Sequence, residues 1–158
     1  MGTATYLIAL GSNRRTRHGS PERTVAAALE AVGAVVAASP VVATAAMGPS
    51  SRRFANAVAL VASDEPPLAM LRRLKAIERA FGRRAGRRWG ARAIDLDLIG
   101  WSGGAWSGPG LTVPHPAFRD RRFVLAPLAA VAPGWRDPLT GRTVRQLLAA
   151  VDRRRPRS

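Results

Sequence analysis

Cysteine is absent from this 158-residue chain. That excludes disulfide staples, thiolate nucleophiles, and zinc or iron–sulfur sites built on thiolate sulfur. Acidic residues are scarce: ten Asp and Glu stand against 25 Lys and Arg, for a net charge of +15. All of the basic residues except Lys75 are arginine. Tyr6 is the only tyrosine. There is no Walker A loop and no GxGxxG, so a bound phosphate would be held by side chains rather than by a glycine cradle. No basic segment precedes the apolar start of the chain, which argues against a signal peptide. Residues 31–51 carry no charge, but they are mostly Ala and Val and are broken by Pro40, which fits a soluble helix running into a strand rather than a membrane span. A cytoplasmic protein with no membrane partner is expected.

What remains is a chain that is 47% hydrophobic, which rules out intrinsic disorder. Its length suits one domain, expected over residues 1–152, with a basic, disordered tail over residues 153–158. The charge implies an anionic partner: nucleic acid, acidic lipid or polyphosphate. It does not choose among them.

The apolar run Tyr6–Leu10 reads as a strand buried on both faces, closed by a turn at Gly11-Ser12-Asn13. Ser20-Pro21 is a helix start, followed by Val25, Ala28, Leu29 and Val32 at helical spacing. Val41-Val42 suggests a second strand and Phe54–Val61 a third. Pro66-Pro67 opens a helix with apolar positions Leu68, Leu71, Leu74, Ile77 and Phe81, ended by Gly82. Residues 83–92 show no periodicity and read as a mobile loop. Ile94–Ile99 is a strand. Residues 100–110 form a turn-rich connection before a short strand over Leu111–Val113. Helices follow near Arg119–Val131 and Thr143–Val151. The order is the ferredoxin-like βαββαβ pattern of the α+β class. It predicts a mostly antiparallel sheet, helices on one of its faces, and a C-terminal extension.

In Ile94-Asp95-Leu96-Asp97-Leu98 the side chains alternate, so Asp95 and Asp97 share one face. Their roots lie about 7 Å apart, and two like charges so placed require a cation between them, either a metal or arginine. Arg83, Arg84, Arg87, Arg88 and Arg92 precede this strand. Guanidinium groups bind phosphate bidentately, and Trp89 among them can stack on a flat ring. His115, near Arg119, Arg121 and Arg122, is expected to stay neutral and could donate to a phosphate oxygen. Ser12 has no base–acid pair beside it, so a hydrolase triad is unsupported.

Taken together, several segments resemble one family. They are Ala9-Leu10-Gly11-Ser12-Asn13, Phe54-Ala55-Asn56-Ala57-Val58, Gly82-Arg83, and the block Arg88-Trp89-Gly90-Ala91-Arg92-Ala93-Ile94-Asp95-Leu96-Asp97-Leu98. Leu111-Thr112-Val113-Pro114-His115-Pro116 and Arg121-Arg122-Phe123-Val124-Leu125-Ala126-Pro127-Leu128 complete the set. The chain is similar over about residues 5–150 to the 6-hydroxymethyl-7,8-dihydropterin pyrophosphokinases of folate biosynthesis.

The resemblance implies transfer of diphosphate from ATP to the pterin hydroxymethyl group, with release of AMP, by a monomer that needs no nucleic acid. It implies two Mg²⁺ ions on Asp95 and Asp97, and charge neutralisation during transfer by Arg83, Arg92 and Arg121. It implies ATP contacts from Glu78, Arg88, Leu98, Thr112, His115 and Arg121. The pterin would meet Thr44, Ala45, Met47, Phe54, Asn56, Trp89 and Phe123. Two departures stand out: Ala45-Ala46 replaces a proline-containing run of the family, and Ala85 stands where a second basic residue is usual. The alternative is a basic ferredoxin-like RNA-binding module. Against it, the strands lack interleaved aromatics, and Asp95 and Asp97 would repel a phosphate backbone. A ligand-sensing regulatory domain is a third reading, which leaves the arginine segment without a purpose.

Overall fold

The computed structural model describes residues 2–44, 54–82 and 93–154. The first strand, β1 (Ala4–Ser12), lies at the centre of an antiparallel sheet. It pairs with β4 (Phe54–Ser63) on one side and with β5 (Asp95–Trp101) on the other. Outside β4 lie two short strands in line, β2 (Val35–Ala38) and β3 (Val42–Thr44). The chain thus forms the expected α+β, ferredoxin-like sheet, and the second strand is split in two. The split falls at Ser39-Pro40. Proline cannot donate to a ladder, and Ser39 binds β4 differently from a strand residue. Its N–H donates to the Val58 carbonyl at 2.9 Å, and its hydroxyl accepts the Val58 N–H at 2.9 Å.

Helix α1 (Pro21–Val32) begins as the sequence predicts, with the Ser20 hydroxyl accepting the Arg23 N–H. Helix α2 (Pro67–Ala80) buries Pro67, Met70, Leu74 and Glu78. That face is rotated from the expected one: Met70 and Glu78 replace Leu68 at its centre, and Leu71 and Ile77 flank it. Both helices cover one face of the sheet, packing on Tyr6, Ile8 and Leu10. Here β4 presents only Ala55, Ala57 and Ala59 beside Val61, small side chains that let the helices approach closely.

The expectation of helices on one face is corrected. Helices α3 (Arg122–Val131) and α4 (Val144–Arg154) cover the other face, packing on Leu7, Val58 and Ile99. The physical reason is that β1 and β4 are apolar on both faces, so each face must be shielded from water. The expected turn at Gly11-Ser12 is also corrected. The strand continues through Ser12, whose buried hydroxyl donates to the Ala93 carbonyl at 2.7 Å. The connection over residues 100–110 contains β6 (Trp106–Gly108), which forms a hairpin with β7 (Leu111–Val113). A 3₁₀ turn, Phe118–Asp120, precedes α3. Arg153 and Arg154, expected in a disordered tail, belong to α4; residues 155–158 lie outside the described residues. A reciprocal pair caps α4. The Gln146 carboxamide oxygen accepts the Thr143 N–H, and the Thr143 hydroxyl accepts the Gln146 N–H.

Two contacts fix this second layer. Gly100 must be glycine because a Cβ there would stand 2.8 Å from Leu7 Cδ1 and 2.9 Å from the Trp135 ring. Asp137 is fully buried and accepts both Nε–H and Nη2–H of Arg119, with Nη2 at 2.8 Å from Oδ1. The Leu139 N–H and Thr140 hydroxyl also donate to it. Burial alone would raise the Asp137 pKa, but the Arg119 hydrogen bonds and these two donors outweigh it, and the net direction is down. A depressed carboxylate pKa stabilises the fold above the ordinary carboxylate range, and that contribution is lost as pH falls through the folded value. Asp137→Asn is expected to lower stability by about 3 kcal/mol at neutral pH. Urea denaturation should show this gap narrowing as pH is lowered towards 3.

Candidate functional site

The sheet register assembles the site. Gly11 pairs with Asp95 on one side and with Asn56 on the other, and Asn56 pairs with Val42 beyond it. Asp95, Gly11, Asn56 and Val42 therefore form one row across the sheet. Their side chains face the layer of α3 and α4, the side opposite Leu96 and Leu98, which belong to the α1/α2 core. Two strand spacings put Asn56 and Asp95 about 10 Å apart at the backbone. Gly11 keeps the floor between them open. A Cβ there would meet Asn56 Oδ1 at 3.1 Å.

At one end of the row is a pocket of about 240 Å³ lined by Asn56, Val42, Pro40, Phe123 and Pro127. The structure thus brings Asn56 and Phe123 together, although they lie far apart in sequence. Phe123 is 52% exposed at the start of α3, so its ring is open to a partner. The Arg121 guanidinium lies 5.7 Å from the centre of that ring, within cation–π range.

Beyond the Asp95 end lie Asp97 and His115, and Arg121, whose guanidinium is over the Phe123 ring, is still near enough for its charge to act on His115. His115 is tied to β5 by its N–H, which donates to the Ile99 carbonyl at 2.9 Å. Its Nδ1 accepts the Ala117 N–H at 3.1 Å, so the neutral ring carries its proton on Nε2 and offers it as a donor. Burial lowers the His115 pKa and the Arg121 charge adds to this, while Asp97 opposes it.

The remaining expected residues fall into three groups. Thr112 is exposed on β7, and Phe54 is 43% exposed opposite Thr44 of β3. The Leu98 side chain is buried in the core, 3% exposed, so only its backbone is placed to meet a ligand. Glu78 is 7% exposed on α2, opposite the aspartate face. Its Oε2 accepts the Leu96 N–H at 2.8 Å, and Lys75 pairs with Oε1 at 3.6 Å. It thus grips the backbone between Asp95 and Asp97. Ala45, Met47, Arg83, Arg88, Trp89 and Arg92 lie outside the described residues. Gly11 and the pocket wall of Ser39, Pro40 and Val42 were not foreseen as site residues. The glycine inside an apolar strand was the available signal, since such a residue marks a close approach.

Among the described residues no three His, Asp or Glu side chains converge as a metal cage. The donor set fits Mg²⁺ of the kind carried by a nucleotide, which binds through one or two carboxylates plus substrate phosphates.

Comparison with known proteins points to one family. Residues 7–133 match the model of the 7,8-dihydro-6-hydroxymethylpterin-pyrophosphokinase (HPPK) family. The 2-amino-4-hydroxy-6-hydroxymethyldihydropteridine pyrophosphokinase of Pseudomonas aeruginosa is 40% identical over 149 residues, covering 90% of this chain and 89% of that protein. The enzyme of the same name from Synechocystis is 41% identical over 107 residues, covering 68% of this chain and 55% of that protein. The crystal structure of Plasmodium falciparum HPPK-DHPS with pteroate superposes with a TM-score of 0.71 at 13% identity, over 94% of this chain and 42% of that one. This last likeness concerns the fold alone. The chain spans about half the length of some of the relatives it matches and most of the length of others. It belongs to the 7,8-dihydro-6-hydroxymethylpterin-pyrophosphokinase family.

The electrostatics of the His115 end can be measured directly. NMR titration of the ligand-free protein should place the His115 pKa below the ordinary 6.5. Asp97→Asn removes the opposing carboxylate and should lower it further, whereas Arg121→Ala should raise it.

Proposed function

We propose that this chain transfers the diphosphate of ATP to the hydroxymethyl group of 6-hydroxymethyl-7,8-dihydropterin and releases AMP. One observation carries the reading: the row Asp95–Gly11–Asn56, with a flat-ring pocket at one end, carboxylates and His115 towards the other, and the Arg121 charge acting on both. The relatives' names support it. No match reported above favours an RNA-binding module.

In this reading Asn56 hydrogen-bonds the pterin edge and Phe123 stacks on its ring, with Phe54, Thr44, Ala45, Met47 and Trp89 completing the pocket. Gly11 leaves the hydroxymethyl group a clear path towards the carboxylates. Asp95 and Asp97 would hold two Mg²⁺ ions, which supply charge neutralisation on the phosphates and a more acidic hydroxyl. His115 donates from Nε2 to a phosphate oxygen, and Arg121 adds fixed positive charge beside it. Arg83, Arg88 and Arg92 neutralise the remaining charge. Glu78 acts beneath the nucleotide by holding β5, and Leu98 and Thr112 meet the adenosine. The hydroxyl oxygen attacks the β-phosphorus and gives up its proton to solvent, the bond from the β-phosphorus to the α,β-bridging oxygen breaks, and AMP departs with that oxygen. The chain's share of the work is positioning and charge, which dominate phosphoryl transfer.

Residues 1–152 act as one domain in this reading. Every candidate residue comes from one chain, so a monomer suffices. Among the described residues no helix is long and apolar enough to cross a membrane, and the reaction is assigned to the cytoplasm.

The test is AMP release from ATP and Mg²⁺ with and without 6-hydroxymethyl-7,8-dihydropterin. Release should require the pterin. Asp97→Ala should lower turnover by about a hundredfold or more, roughly 3 kcal/mol in the barrier. Undiminished AMP formation by that variant would overturn the assignment. Gly11→Ala should raise the pterin KM severalfold by displacing Asn56.

A further inference from the structure

A second concavity lies away from the row of site residues, between the 3₁₀ turn Phe118–Asp120 and α4. Its volume is about 620 Å³, within the range of small-molecule pockets. Four guanidinium groups border it, from Arg119, Arg142, Arg153 and Arg154, against the single carboxylate of Asp120. Pro116, Leu147 and Ala150 add apolar surface to its lining. None of these residues belongs to the candidate site.

The four arginines differ in how far they are already satisfied. Arg119 is anchored by Nε and Nη2 on buried Asp137 and lies 4.8 Å over the Phe118 ring, leaving Nη1 without a partner among the described residues. Arg154 makes only a loose, exposed contact with Asp120, at 3.5 Å, of a kind that contributes little. Arg142 and Arg153 make no ion pair among the described residues. A concave, partly apolar wall focuses the field of such charges, so their repulsion is relieved most by an anion seated between them. One anchored guanidinium and several adaptable ones, spread over this volume, suit more than one anionic group.

We propose that this pocket is a second anion site, and that it takes a small, compact polyphosphate. The concavity favours such a ligand over a duplex or a lipid surface, which would need an extended convex or flat basic face.

Inorganic tripolyphosphate is the probe, titrated calorimetrically into the full chain with Mg²⁺ and a non-hydrolysable ATP analogue filling the first site. The wild type should bind it. The double variant Arg142→Ala/Arg153→Ala should bind at least tenfold more weakly and keep kcat and KM within twofold. A control variant with the same loss of charge elsewhere, Arg23→Ala/Arg72→Ala, should bind as the wild type does. Absence of binding to the wild type, equal affinity in the pocket variant, or an equal loss in the control would each overturn the proposal.

Discussion

The pairing of β1 with a neighbour on each side is the constraint on which the molecule depends. Because β1 is central, its register with β5 and with β4 is set twice, and both settings meet at Gly11. A slip of one residue against β5 would turn Leu96 and Leu98 out of the α1/α2 core and put Asp95 and Asp97 into it, and a slip against β4 would part Gly11 from Asn56. The hydrophobic layers on both faces therefore hold the polar row in place. Tyr6, Ile8 and Leu10 lock one side, and Leu7 and Ile99 lock the other. Beneath β5, Glu78 adds a polar grip on the backbone between the two aspartates. The fold and the site share these contacts, so neither can be altered alone.

Charge distribution follows the same economy. The chain carries a large positive excess, yet the few carboxylates are placed where they organise something. Asp137 fixes Arg119 and with it the segment between His115 and Arg121. Glu65 receives Arg73, and Asp152 receives Arg122 across α3 and α4. Asp95 and Asp97 stand on the sheet face turned towards α3 and α4, and Asp95 lies in the row that ends at the pocket of Asn56 and Phe123. Placing two acidic groups on an otherwise basic protein makes a local minimum of potential. In the proposed reading, a cation-bearing polyanion is matched there in both its signs.

Much of this was legible in the residues. Alternation along Ile94–Ile99 put both aspartates on one face, and the two-faced apolar character of β1 and β4 was plain. That same character should have required helices on both sides, and the inference to one face overlooked it. Strand β2 was not seen because Val35–Ala38 runs on from the Ala- and Val-rich α1 with no change of composition. The meeting of Asn56 with Phe123 depends on α3 packing against β4, a contact between distant segments that no local pattern encodes. The burial of Glu78 was hidden for a related reason. A charged residue reads as surface until the backbone donor it satisfies is known.

The interruption at Ser39-Pro40 has a consequence for the protein's behaviour in concentrated solution. An unbroken outer strand of Val and Ala would be a template on which further chains could stack into fibrils. Here the rim is cut into two pieces of four and three residues, and the proline between them has no hydrogen to offer a newcomer. A colliding molecule therefore finds no continuous ladder to extend along this rim.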